Sequence, residues 1–207
     1  STLGGKTAGT VTVTNAVAIT GDHDQVTAAL VTAGTKVVVD DATVTINDAN
    51  ATDITAAELS AIGGATLGTV TVTNAVAIEG TETQVTAALV TAGTKVEVDD
   101  ATVNITTTPS IAALNLIAAE TTGAVTATLA ADSLANLGAL NTAGTDVITV
   151  TVNDANEAAL TAANLSTLGG KTAGTVTVTN AVAIEGTEAE VTAALVTAGT
   201  KVEVDDA

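Results

Sequence analysis

Valine and isoleucine alternate with threonine along much of the chain. Residues 10–14 read Thr-Val-Thr-Val-Thr, and Val17 and Ile19 follow. A period of two places Val11 and Val13 on one face and Thr10, Thr12 and Thr14 on the other, which predicts a half-buried strand. A counterpart runs through Val37 and Val39, then Val44 and Ile46. Between the halves stand Asn15-Ala16, Asp41-Ala42, Asn74-Ala75 and Asp100-Ala101. Asn and Asp tolerate turn geometry, so each pair predicts a bend.

Short helices are predicted between these runs. In Ile54-Thr55-Ala56-Ala57-Glu58-Leu59, Thr55 is a helix cap and Glu58, three residues on, completes a capping box. Ile54 and Leu59 are spaced for a hydrophobic staple, and Gly63 is expected as the left-handed residue that ends the helix. Leu160 to Leu165 repeats the scheme, closed by Gly169, and Val26–Leu30 is a shorter version closed by Gly34. Helices of about two turns do not persist alone, so packing on the strands must hold them. Pro109 cannot donate to a ladder and belongs in a loop before a helix near Ile111–Ile117.

The chain repeats itself. Residues 166–207 match residues 1–42 at all but a handful of positions, an offset of 165, and residues 62–101 are a third copy. Along the chain Gly9, Gly34, Gly68, Gly93, Gly123, Gly144, Gly174 and Gly199 each open a Val-rich run, 21 to 34 residues apart. A variable period of this size predicts stacked supersecondary units. The expected fold is mainly β with short helices: one parallel β-solenoid of about eight rungs, with like strands stacked on like. Residues 1–207 form a single repeat segment in this view, a piece of a longer tandem array, with an irregularity at Pro109 and no boundary there.

Composition narrows the chemistry. Of 207 residues 5 are lysine, none is arginine and 23 are acidic, for a net charge of −18; Phe, Trp, Tyr, Cys and Met are absent. Without a basic face or aromatic platforms, nucleic-acid binding is excluded as an expectation. Disulfides and thiolate metal sites need cysteine. Catalytic constellations have one histidine, His23, to draw on, and the sequence predicts no enzyme. Mean hydropathy of +0.49 argues for an ordered chain. No apolar run approaches the roughly 20 residues of a membrane span.

The acidic pairs Asp40-Asp41, Asp99-Asp100 and Asp205-Asp206 recur at one position of the repeat. Carboxylates there are candidate ligands for Ca2+, which takes oxygen donors; the competing expectation is a solvated acidic corner, with one carboxylate capping the turn. Asn47, Asp48, Asn50 and Asp53, echoed by Asn153, Asp154, Asn156 and Glu157, fit either oxygen ligation or turn and cap chemistry, and the latter is the stronger expectation. His23, flanked by Asp22 and Asp24, has no counterpart in the sister loops. Rows such as Thr10-Val11-Thr12 are similar to ice-binding faces, but Lys36, Asp40, Lys95, Glu97 and Asp99 interrupt the lattice.

The ITAAELSAIGG and LTAANLSTLGG helices and the GTVTVTNAVAI strands resemble the repeat regions of very large bacterial cell-surface or adhesin-like proteins, those of cyanobacteria and other marine bacteria above all. The resemblance covers the whole chain in composition and rhythm, and carries over no functional residue. It implies an extracellular structural segment: the rod or spacer of a surface layer, filament or adhesin shaft. The alternative is a calcium- or ice-binding module. Expected partners are further copies of the same array or a cell-surface or matrix contact, with no nucleic acid and no membrane insertion.

Overall fold

The computed structural model describes residues 2–200 and 202–205. These residues pack as two compact units, one of residues 2–106 with 120–123, the other of residues 107–119 with 124–200 and 202–205.

The first unit opens on a short 3-10 turn, Gly4–Lys6. It then runs β1 (Thr12–Val13), β2 (Ala18–Gly21), α1 (His23–Leu30), β3 (Val38–Val39), β4 (Thr43–Ile46), β5 (Asp53–Thr55), α2 (Ala56–Gly63), β6 (Val70–Val72), β7 (Ala77–Gly80), α3 (Glu82–Leu89), β8 (Glu97–Val98) and β9 (Thr102–Ile105). The second holds α4 (Ile111–Ala118), β10 (Val125–Thr128), α5 (Leu134–Leu137), β11 (Val147–Val152), β12 (Ala159–Thr161), α6 (Ala162–Gly169), β13 (Val176–Val178), β14 (Ala183–Glu185), α7 (Glu188–Leu195) and β15 (Glu203–Val204).

Every described strand pair is parallel, with partners 21 to 26 residues apart. The expected solenoid of like strands on like is nevertheless overturned. The chain is α/β, with fifteen strands and seven α-helices among the described residues, and its strands fall into several separate sheets. In the first unit β1 pairs only with β3, a second sheet runs β2-β4-β6-β8, and β5, β7 and β9 lie in another. The second unit carries β10-β11-β13-β15 and, apart from it, β12-β14.

The reason lies in unequal block lengths. β5 and β12 are extra strands that the shorter blocks lack. As a result β4 takes β2 on one edge and β6 on the other, while β5 takes β7. The sheet β2-β4-β6-β8 therefore joins β2, the second strand of its block, to β6, the first strand of its own, through β4, and like is not stacked on like.

The core is aliphatic. Val70, Val72, Val76 and Ile78 are buried, as the alternation predicts, together with Ile54, Leu59 and Ile62. The capping box is present: Glu58 N–H donates to Thr55 Oγ1 at 3.2 Å and Thr55 N–H to Glu58 Oε2 at 3.1 Å. Two helix expectations need correction. α1 begins at His23, three residues before Val26, with Asp22 as its cap. Gly63 lies inside α2, and no described glycine has a positive φ. Gly63 is required because a Cβ there would run into the carbonyl of Thr94.

Candidate functional site

The recurring acidic corner is built from two strands and a turn that crosses them. After β3 and β8 the chain bends at Asp40-Asp41-Ala42 and Asp99-Asp100-Ala101. The next turn, Thr66-Leu67-Gly68 or Thr121-Thr122-Gly123, closes over that bend. Thr66 Oγ1 donates to the Ala42 carbonyl at 2.7 Å and accepts from Gly68 N–H at 3.1 Å. Thr121 does the same with Ala101 and Gly123, at 2.6 and 3.0 Å. A Cβ on Gly68 or Gly123 would strike the carbonyl of Ala42 or Ala101, so glycine is the residue that lets the two backbones meet. The Asp40 carbonyl accepts from Leu67 N–H, and the Asp99 carbonyl from Thr122 N–H and Oγ1.

The side chains of Asp40, Asp41, Asp99, Asp100 and Asp205 are exposed. None of these carboxylates caps its turn, as one of each pair was expected to; the threonine hydroxyl of the following turn does that work. Asp206 lies outside the described residues. Among the described residues no group of three or more His, Asp or Glu side chains converges on a point a metal ion could occupy. The Thr-x-Gly clamp was missed in the sequence, although Thr-x-Gly recurs at Thr7, Thr66, Thr121 and Thr172.

The second acidic set does turn and cap chemistry. Asp48 is buried, and its Oδ2 accepts from His23 N–H at 2.7 Å, capping α1 from the turn after β4. Asp154 Oδ2 caps α5 through Leu134 N–H, also at 2.7 Å. Their carbonyls accept from the side-chain amides of Asn74 and Asn180. Ala51 and Glu157, one residue after Asn50 and Asn156, adopt the left-handed region at φ 59° and 64°. That conformation costs a non-glycine residue about 1–2 kcal/mol. Each turn is held by a backbone bond, Ala51 N–H to Ala75 and Glu157 N–H to Ala181.

His23 stands at the first turn of α1 with its side chain 16 % exposed. Burial pulls its pKa down. The Nδ1 bond to Asp48 Oδ1 at 2.7 Å and the nearby charges of Asp48, Asp24 and Glu58 outweigh burial, and the pKa is raised. The ring and carboxylate are hydrogen-bonded between the start of α1 and the turn after β4, an ion pair whenever His23 is protonated.

Further caps escaped the sequence reading. Thr81 with Gln84, and Thr187 with Glu190, form complete capping boxes at the starts of α3 and α7. The Thr-x-x-Gln and Thr-x-x-Glu spacing was there to find. The hydrogen bonds from Thr187 hold the Glu190 carboxyl below its ordinary pKa.

Scans of protein-family models, curated proteins and solved structures return no match to this chain. Among the described residues no helix is long and apolar enough to cross a membrane.

Proposed function

We propose that the chain is a structural segment: a repeat-built spacer of a bacterial surface-layer, filament or adhesin-shaft protein, working outside the cell. One observation carries this. The same block, strand pair and capped helix, is laid down three times, and its first two copies meet the following strand in one register, Ala18 opposite Thr43 and Ala77 opposite Thr102. The copies share a unit of assembly, and Thr66 and Thr121 clamp successive turns in the same way. A surface rich in unpaired carboxylates keeps such an array soluble and resists sideways clumping at low salt.

The test is to express polypeptides of one, two and three 165-residue periods and measure their largest dimension by small-angle X-ray scattering. A spacer adds a constant increment per period. A dimension that stays flat from one period to three refutes the proposal. Antibody labelling of intact cells of the source organism checks the extracellular location.

A further inference from the structure

Blocks of nearly one sequence must still find their own neighbours. Residues 17–42 and 76–101 differ at five positions, Thr20/Glu79, Asp22/Thr81, His23/Glu82, Asp24/Thr83 and Val38/Glu97. Four of the five lie in one place, where β2 or β7 runs into the helix that follows. That is also where the next strand arrives, β4 on β2 and β9 on β7.

The main chain makes both joints in one way. Thr43 and Asn47 N–H donate to the Val17 and Gly21 carbonyls, and Thr102 and Thr106 N–H to those of Val76 and Gly80. Backbone bonds therefore cannot tell the two joints apart, and specificity falls to the side chains.

Those side chains differ in matched sets. Residues 43–48 read Thr-Val-Thr-Ile-Asn-Asp, and residues 102–107 read Thr-Val-Asn-Ile-Thr-Thr, so the second strand has Thr107 at the sequence position of Asp48. In the first joint Thr20 stands opposite Thr45, and Asp48 bonds both the N–H and the ring Nδ1 of His23, each at 2.7 Å. In the second Glu79 stands opposite Asn104, whose side-chain amide donates to the Glu79 carboxylate at 3.0 Å. Glu82 begins α3 as His23 begins α1. Exchanging the strands breaks both sets. Residues 102–107 on β2 would leave His23 without its carboxylate. Residues 43–48 on β7 would bring Asp48, which is buried in its own joint, against Glu82. Two carboxylates set side by side repel, and burying one of them raises the cost.

We propose that Thr20 and His23 with Thr45 and Asp48, and Glu79 and Glu82 with Asn104, are matching sets by which each block accepts its own following strand and refuses the other's. Misassembly between like units is a characteristic failure of repeat chains, and repulsion of the wrong neighbour is the remedy that near-identical surfaces leave open. Most of the discrimination falls on Asp48, with His23 for it and Glu82 against it, because the Glu79–Asn104 bond is exposed. The inference goes beyond the spacer reading and does not rest on it, since it holds for joined blocks whatever their task.

The chain has no cysteine, so an introduced disulfide can report a wrong match. Ala18 and Thr102 belong to different joints. In the A18C/T102C chain the two cysteines face each other only when residues 102–107 of one molecule sit on β2 of another. The A18C/T43C chain, whose cysteines are partners in the native joint, shows that the bond can form there. The A18C/T102C chain is refolded from urea under oxidising conditions, and cross-linked dimer is measured on a non-reducing gel. Rewriting its first joint to the second type, T20E/H23E/T45N/D48T, should raise the dimer at least five-fold and leave the urea midpoint of the refolded monomer unchanged. Rewriting the second joint to the first type, E79T/E82H/N104T/T107D, should do the same. Equal dimer in parent and rewritten chains overturns the proposal. So does failure of both rewritten chains to fold, because matched sets must be transferable as wholes. The scattering test uses chains without cysteine and reads length alone, so the two failures are told apart.

Discussion

Residues 70–90 and 176–196 differ at two positions, Thr83/Ala189 and Gln84/Glu190. Their hydrogen-bonded caps match: Thr81 and Thr187 each accept from the third residue of the helix and close a capping box. Their packing does not. Val85 and Leu89 are fully buried, while Val191 is half-buried and Leu195 is exposed. The difference separates what the local sequence determines from what a neighbouring block supplies. Caps and strand alternation belong to the block itself. Burial of its outer apolar side chains belongs to the strand and helix laid on top.

Substitutions sharpen this division. Leu89→Ala should cost about 2–5 kcal/mol, the range for a filled core position, whereas Leu195→Ala should cost under about 1 kcal/mol. Urea unfolding of both variants decides it; equal losses would mean that the outer face of the last copy is packed as tightly as the middle one.

A smaller effect is expected where the first copy differs from the other two. His23→Glu sets a carboxylate against buried Asp48 and should cost about 1–3 kcal/mol; adding Asp48→Thr should recover most of it. The native pair also predicts a pH dependence. Because the His23 pKa is raised on folding, its contribution is fully present below the ordinary value of 6.5 and fades as pH rises through the folded-state value. Stability measured upward from pH 6 should therefore fall more in the native chain than in His23→Gln. Parallel curves would remove His23 from the account.

Smallest are the caps. Thr81→Ala and Thr187→Ala should each cost about 1 kcal/mol, and by the same amount, because a cap acts on its own first turn. Unequal losses would show that the covering block reaches into the cap.

These contrasts also mark what was legible in the sequence. The Val/Ile alternation, the bends and the Thr55–Glu58 box could all be read, because each depends on residues within a few positions of one another; the threefold repeat could be read because it is identity of sequence alone. The sheet arrangement could not. A repeat shows that blocks resemble each other but not that β4 is paired to β2 on one edge and to β6 on the other. Gly63, Gly68 and Gly123 were visible as glycines, yet their reason, a carbonyl 22 to 31 residues away in the chain, exists only once the backbones meet. The acidic corners were legible as exposed charge, while the threonines that satisfy the bend come from the following turn. His23 looked incidental because Asp48, its partner, lies in another block.

The most direct test of the division between block and neighbour is amide hydrogen exchange on the dilute chain, residue by residue. In the covered copy Ala77, Ile78, Glu79 and Gly80 should all be protected, since both edges of β7 are paired. In a polypeptide of residues 1–207 alone, Ala183 and Glu185 should be protected by β12, while Ile184 and Gly186 should exchange orders of magnitude faster. Protection of Ile184 equal to that of Ile78 would contradict the account.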